Sequence, residues 1–179
     1  MFTNIVEAIQ QKLGYPPLKK VDPNTQEIAD ARKMSADDKL RQAAIPAVLA
    51  AAIKYSDSKA GINLLTENKN ENWLKTIYGG KENDAIKKVA DYSGVNPDEA
   101  RRQMDNISNE TVTFLKSVVK SSDAEKLRSY MNSQRHSILS HLPASMKMGE
   151  MLNEETFDDR TNKMEGPVSG FLHRIEDII

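Results

Sequence analysis

Apolar residues recur at helical spacing along most of this chain, and strand-type alternation is nowhere sustained. The longest apolar stretch runs from about Ala36 to Tyr55 and is apolar on most of its circumference, which is typical of a helix in the middle of a bundle. Ser35 and Asp38 resemble a capping box at its start, and Pro46 predicts a kink within it. The pattern predicts an all-α protein, a compact multi-helix bundle around an alanine-rich, proline-kinked central helix.

Shorter amphipathic segments flank the central helix on both sides. On the N-terminal side, Thr3 can cap a helix that ends at Gly14, and a second amphipathic segment begins near Thr25 after a proline-rich linker. After the central helix, the pattern predicts helices over 58–67 and 71–78, a helix from Pro97 that breaks near 106–109, and a later helix capped by Ser122.

The segment 84–105 has the outline of a helix-turn-helix. Gly94 can end the first helix in the left-handed conformation that glycine adopts without strain. Asn96 is a good cap for the second helix, and Glu99 completes a capping box with it. Because a recognition helix presents its N-terminal residues to DNA, the carboxylates of Asp98 and Glu99 weigh against a DNA-reading function.

Composition divides the chain into four parts. We predict an N-terminal helix and proline-rich linker over 1–24, a helical core domain over 25–153, an acidic flexible linker over 154–166, and an amphipathic helix over 167–179. The last helix carries five apolar side chains on one face: Phe171, Leu172, Ile175, Ile178 and Ile179. Such a face is expected to dock on this domain or on another protein.

Charge and cysteine content exclude several classes of function. Twenty-five basic and 26 acidic residues leave a formal net charge of −1, without the basic excess typical of a dedicated nucleic-acid binder. The absence of cysteine excludes disulfides, thiolate catalysis and cysteine-ligated zinc. No window has the apolar length of a membrane span, and the N-terminus lacks the basic region of a signal peptide. We therefore expect a cytoplasmic protein that does not bind membranes.

The histidines lack the spacing typical of a metal site. His136 and His141 are five residues apart, which corresponds to about 140° around a helix. The simplest interpretation is that these two and His173 are surface residues. An enzyme would need a deep pocket that joins one of them to carboxylates.

Other reactive patterns are also missing from the sequence. There is no Gly-x-Ser-x-Gly nucleophile elbow, and Gly79-Gly80-Lys81 is interpreted as a helix stop rather than a phosphate loop. We therefore predict no catalytic residue, no bound metal and no cofactor. A methionine-rich stretch, Met146, Met148 and Met151, fits core filling best, with a binding groove as the alternative.

Three segments together resemble a known family. Residues 44–49 read Ala-Ile-Pro-Ala-Val-Leu, residues 131–134 read Met-Asn-Ser-Gln, and residues 138–144 end in Leu-Pro-Ala. With the glycine corner after Ile86, they resemble the YidB-like bacterial family, the domain of unknown function 937. The resemblance covers roughly 36–152, although this chain is less glycine-rich, more charged and extended at both ends. It implies a compact helical fold and no chemistry, since that family has no established activity.

Two functional hypotheses follow from the sequence. The preferred one is a non-enzymatic protein that associates with itself or with another protein through the C-terminal helix. The alternative is a DNA-binding protein that uses segment 84–105, with Lys87, Lys88, Arg101 and Arg102 as contacts. Carboxylates are interspersed with these four basic residues, which is more typical of an ordinary solvated surface.

Overall fold

The computed structural model describes residues 3–66, 72–119 and 123–158. In these ranges the chain forms eight helices: α1 (Ile5–Leu13), α2 (Ala36–Ser56), α3 (Asn63–Thr66), α4 (Trp73–Tyr78), α5 (Glu82–Ser93), α6 (Pro97–Val118), α7 (Ala124–Leu139) and α8 (Met148–Leu152). Short 3-10 turns occur at Ala31–Lys33, Ala144–Met146 and Glu155–Phe157. Within the described ranges, the only β-type pairing is an isolated bridge between Val21 and Ile28. The predicted all-α class is confirmed.

Helix α2 lies at the centre of the bundle. The Ser35 hydroxyl accepts a hydrogen bond from the Asp38 amide at 3.1 Å, as the capping-box pattern predicts. Every residue from Gln42 to Ile53 is buried, and α4, α5, α6 and α7 all pack against this helix. Its many alanines permit close approach of these neighbours because they project little beyond the backbone. The helix continues through Pro46, and the kink there stays a prediction.

Helix α6 is longer than the sequence predicted. The expected break near 106–109 is wrong, because Ile107 and Ser108 are buried and hold this part of the helix against the bundle. The hydroxyls of Ser108 and Thr111 donate to the carbonyls of Asp105 and Ile107, so they are satisfied within the helix. Tertiary packing here outweighs the low helix propensity of asparagine and serine.

Several boundaries also differ from the predicted ones, and α3 begins at Asn63 rather than at residue 58. The cap of α1 is Asn4 rather than Thr3, and its side chain accepts from the amides of Val6 and Glu7. The cap of α7 is Asp123 rather than Ser122. The segment near Thr25 begins as a turn around the Asp22 carboxylate and not as a helix.

The chain returns to the bundle over residues 154–158, where the sequence predicted the start of a flexible linker. Phe157 is fully buried, and the guanidinium carbon of Arg135 lies 4.6 Å from the centroid of its ring. The Nζ atom of Lys54 lies 2.9 Å from Oε2 of Glu154. The large apolar area of one aromatic ring explains why this acidic stretch packs against the domain. The rest of the predicted linker lies outside the described residues.

Asp158 ends the described part of the chain by capping α8. Its two carboxylate oxygens accept from the amides of Gly149 and Glu150, at 3.1 and 2.7 Å. A Cβ atom at Gly149 would lie 2.6 Å from Oδ2 of Asp158 and 2.7 Å from the carbonyl oxygen of Glu154. The close return of the chain therefore requires glycine at position 149.

Candidate partner-binding surface

Helices α5 and α6 meet at the predicted corner. Gly94 adopts φ 76° and its amide donates to the carbonyl of Ala90 at 2.8 Å. The side-chain oxygen of Asn96 accepts from the Glu99 amide at 2.9 Å. The helix-turn-helix-like shape expected from the sequence is thus confirmed. Asp98 is exposed in the first turn of α6, where a DNA-reading helix would approach phosphates.

The basic residues of this corner are divided between two places. Lys87 and Lys88 line a cleft of about 520 Å³ between α5 and α8. Arg101 instead donates to the side-chain oxygen of Asn83, and Arg102 is exposed. The cleft with the two lysines is also lined by the carboxylate residues Asp84, Asp91 and Glu150. This arrangement mixes both signs of charge and lacks the uniformly basic footprint of a nucleic-acid interface.

The two described histidines occupy different environments. His136 is exposed, as expected. His141 is buried, so the surface interpretation is wrong for this residue. Its Nδ1 atom lies 2.7 Å from the carbonyl oxygen of Ser137, and burial lowers its pKa below the ordinary value. This contact satisfies one ring nitrogen through the helix backbone. His173 lies outside the described residues.

The three methionines fill the core and Gly79 stops a helix, as the simpler interpretations of the sequence predict. Met146, Met148 and Met151 are all buried and belong to the hydrophobic core. Gly79 ends α4 as a left-handed cap, as a helix stop should.

Among residues 3–66, 72–119 and 123–158, no group of three His, Asp or Glu side chains is close enough to hold a metal ion.

An apolar cleft lies beside the first half of α2. We name it the N-terminal cleft, and its volume is about 330 Å³. Pro16 and Pro17 are exposed, and Leu18 and Met34 are half-buried, so apolar groups face solvent on both sides of it. Its remaining lining residues are Lys19, Lys33, Asp38, Arg41 and Gln42. Apolar side chains combined with charged ones are typical of the surfaces that proteins use to bind one another.

Gln42 fixes one wall of the N-terminal cleft. It is 1% exposed, and its side-chain oxygen accepts from the Lys19 amide at 2.9 Å. Its side-chain nitrogen donates to the carbonyls of Lys19 at 2.9 Å and His141 at 3.1 Å. One buried amide therefore joins α2 to the segment before it and to the turn after α7. The sequence signal was a glutamine directly before the uninterrupted apolar run 43–53, although this position does not indicate which residues it contacts.

Three further contacts complete the wall. The Gln10 side chain donates to the Pro16 carbonyl at 3.0 Å, which orients the diproline segment. The guanidinium carbon of Arg41 lies 5.1 Å from the centroid of the Tyr15 ring, within the range of a cation–π contact. Arg41 also pairs with Asp38 at 3.3 Å. The cleft is therefore held by specific contacts that sequence periodicity did not indicate.

The predicted docking face itself lies outside the described residues. Phe171, Leu172, Ile175, Ile178 and Ile179 are known here as a sequence pattern. Their role as partner-binding residues stays a prediction. The N-terminal cleft, which belongs to the described part of the chain, is a surface on which binding of such a face can be tested.

The chain was compared with protein-family models, with curated proteins and with solved structures, and no match was found. The resemblance to the YidB-like family therefore stays a prediction. None of the described helices combines the length and the apolar character needed to cross a membrane.

Proposed function

We propose that this protein is a non-enzymatic protein–protein association module. The observation that supports this most is the open N-terminal cleft, where Pro16, Pro17, Leu18 and Met34 present apolar atoms to solvent. Burial of apolar surface is the main driving force of most protein–protein association. The wall of the cleft is held by hydrogen bonds of the buried Gln42 side chain, so little ordering is required when a partner binds.

The sequence supplies a ligand of matching character. Residues 171–179 carry apolar side chains at i, i+1, i+4, i+7 and i+8, the spacing of one helix face. Helix-in-groove recognition uses anchors at this spacing. We propose that the partner is either another protein with such a segment or the protein itself. We assign this role to the cytoplasm, an expectation that rests on the sequence.

A peptide titration tests the proposed function. A fluorescently labelled peptide with the sequence of residues 167–179 is titrated with the chain that lacks these residues, and its anisotropy is measured. The described core lies within residues 3–158, so the deletion removes none of the described contacts. Circular dichroism checks that the shortened chain keeps its helical content. The proposed function predicts a saturable rise in anisotropy, reversed by unlabelled peptide.

The matched control is a peptide with Ile175→Asp and Ile178→Asp. It keeps the length but loses two anchors, so its binding should be lost. Equal anisotropy curves for the two peptides, or no rise for either, would contradict the proposal.

A second candidate function is binding of duplex DNA, which is favoured by the helix-turn-helix-like shape of α5 and α6. Anisotropy of a labelled random duplex, measured from low to physiological salt, tests it. DNA binding predicts a steep inverse dependence on salt, because each phosphate contact releases counterions. Replacement of Arg101 and Arg102 by Ala should then weaken binding, whereas Lys126→Ala on α7 should not. Absence of binding at low salt would exclude this candidate.

A further inference from the structure

We infer that the N-terminal cleft is the docking site for residues 171–179 of the same chain. The inference rests on the proposed function and specifies both the surface and its occupant. Apolar residues on both sides of the cleft match the apolar face of that segment. With about 330 Å³, the cleft admits side chains from one helix face rather than a whole helix.

The charges around the two surfaces are complementary. Three cationic side chains and one carboxylate line the cleft: Lys19, Lys33, Arg41 and Asp38. Lys33 pairs with Asp30 and Arg41 with Asp38, and the lining keeps a net positive charge. In the segment, Glu176 and Asp177 outnumber the one cationic residue, Arg174, so its net charge is negative. Exposed ion pairs of this kind contribute little affinity, but they favour one orientation of the bound segment over the other.

The length of the chain permits docking within one molecule. Glu154 contacts Lys54 near the C-terminal end of α2, whereas Arg41 of the cleft lies near its N-terminal end. Thirteen residues separate these two positions on α2, or about 20 Å at the helical rise. The 12 residues from 159 to 170 reach up to about 40 Å when fully extended.

The tether also favours docking within the chain over docking between copies. A segment joined by a short tether reaches its site at an effective concentration in the millimolar range. In purified protein at micromolar concentration, the segments of other copies are present at a far lower concentration than this. An external partner must then compete with this segment for the cleft.

Cysteine cross-linking tests the inference in the full chain, which has no natural cysteine. Arg32→Cys introduces a thiol at an exposed position beside the cleft, and His173→Cys introduces one in the segment at a position that is not an anchor. The matched control pairs His173→Cys with Asp57→Cys, an exposed position at the other end of α2. A short bismaleimide is added, and products are identified by mass spectrometry.

We expect at least about tenfold more intramolecular product from the Arg32 pair than from the Asp57 pair, which corresponds to a preference of about 1.4 kcal/mol. Asp57 is three residues from Lys54, which contacts Glu154 near the end of the described chain, so an undocked segment would give the opposite order. Leu18→Glu should remove the excess, whereas Leu65→Glu, at a half-buried leucine on α3, should not.

Three results would overturn the inference. Equal products from both pairs would mean that the segment does not dock at the cleft, and cross-linked dimers alone would assign the cleft to a second copy. An excess that persists in Leu18→Glu would mean that the segment docks elsewhere. Peptide binding in the earlier titration would leave the association function standing in each case, so the two proposals fail separately.

Discussion

Replacement of Gln42 by Met should destabilise the protein although the side chain keeps almost the same size. The change removes three hydrogen bonds, to the Lys19 amide, the Lys19 carbonyl and the His141 carbonyl. At about 1 kcal/mol each, these bonds contribute about 3 kcal/mol. Lys19 is exposed and its backbone can regain water, whereas His141 is buried and its carbonyl loses a partner. Allowing for the apolar gain of methionine, we expect a net loss of about 2 kcal/mol.

Urea unfolding measures this loss. Circular dichroism and the fluorescence of Trp73, the single tryptophan of the chain, report the transition. With a slope of about 2 kcal/mol per molar urea, the midpoint should fall by about 1 M. The matched control is Gln11→Met at an exposed glutamine of α1, which should change stability by less than about 0.5 kcal/mol. Equal midpoints for the two variants would refute the assigned role of Gln42.

Replacement of Gln42 by Glu should make the loss of stability depend on pH. The carboxylate keeps an acceptor but loses both donors and is buried, so the pKa of this carboxyl should be raised in the folded variant. A raised pKa means that, relative to the parent, the variant is most stable in acid and loses stability as the pH rises through that value. Stability that does not depend on pH relative to the parent would contradict the expected burial.

Three other predictions concern positions away from the cleft. Gly149→Ala should cost about 1–3 kcal/mol in thermal unfolding, because the added methyl group overlaps a carboxylate and a backbone carbonyl; an unchanged melting temperature would contradict the close return of the chain. Asn96→Ala should cost about 1 kcal/mol in urea unfolding through loss of the α6 cap, and a loss below about 0.3 kcal/mol would argue against that cap. Hydrogen bonding from Thr156 and from Lys54 lowers the pKa of Glu154 below its ordinary value of 4.5. Its contribution to stability is therefore present above that value and is lost as the pH falls through the lowered pKa. The stability difference between the parent and Glu154→Gln should shrink in acid, and a constant difference across an acid titration would be inconsistent with this ion pair.

The sequence predicted those elements whose determinants are local. The cap at Ser35, the left-handed Gly94 and the apolar run of α2 depend on residues within a few positions of one another. A single sequence is sufficient to recognise such patterns. The same is true of the corner between α5 and α6.

Contacts between distant residues were not predictable in this way. Gln42 and His141 are 99 residues apart, and no periodicity connects them. Phe157 is a lone aromatic residue in a polar stretch, so composition indicated a flexible linker. Burial of its ring instead holds this part of the chain against the bundle. The break expected in α6 reflected asparagine propensity, which packing of Ile107 and Ser108 overrides. The wall of the N-terminal cleft depends on the contacts of Gln42 with Lys19 and His141, 23 and 99 residues away, and for that reason the sequence did not indicate the cleft.

Hydrogen–deuterium exchange of the full chain tests the central claim most directly. An isolated helix of 13 residues is only marginally stable in water, so protection of residues 171–179 would require docking. We predict that their amides exchange at least about tenfold more slowly than in a free peptide of the same sequence, equivalent to about 1.4 kcal/mol of docking free energy. Leu18→Glu should remove this protection, and Leu65→Glu should retain it. Exchange at the free-peptide rate in the parent protein would contradict the account.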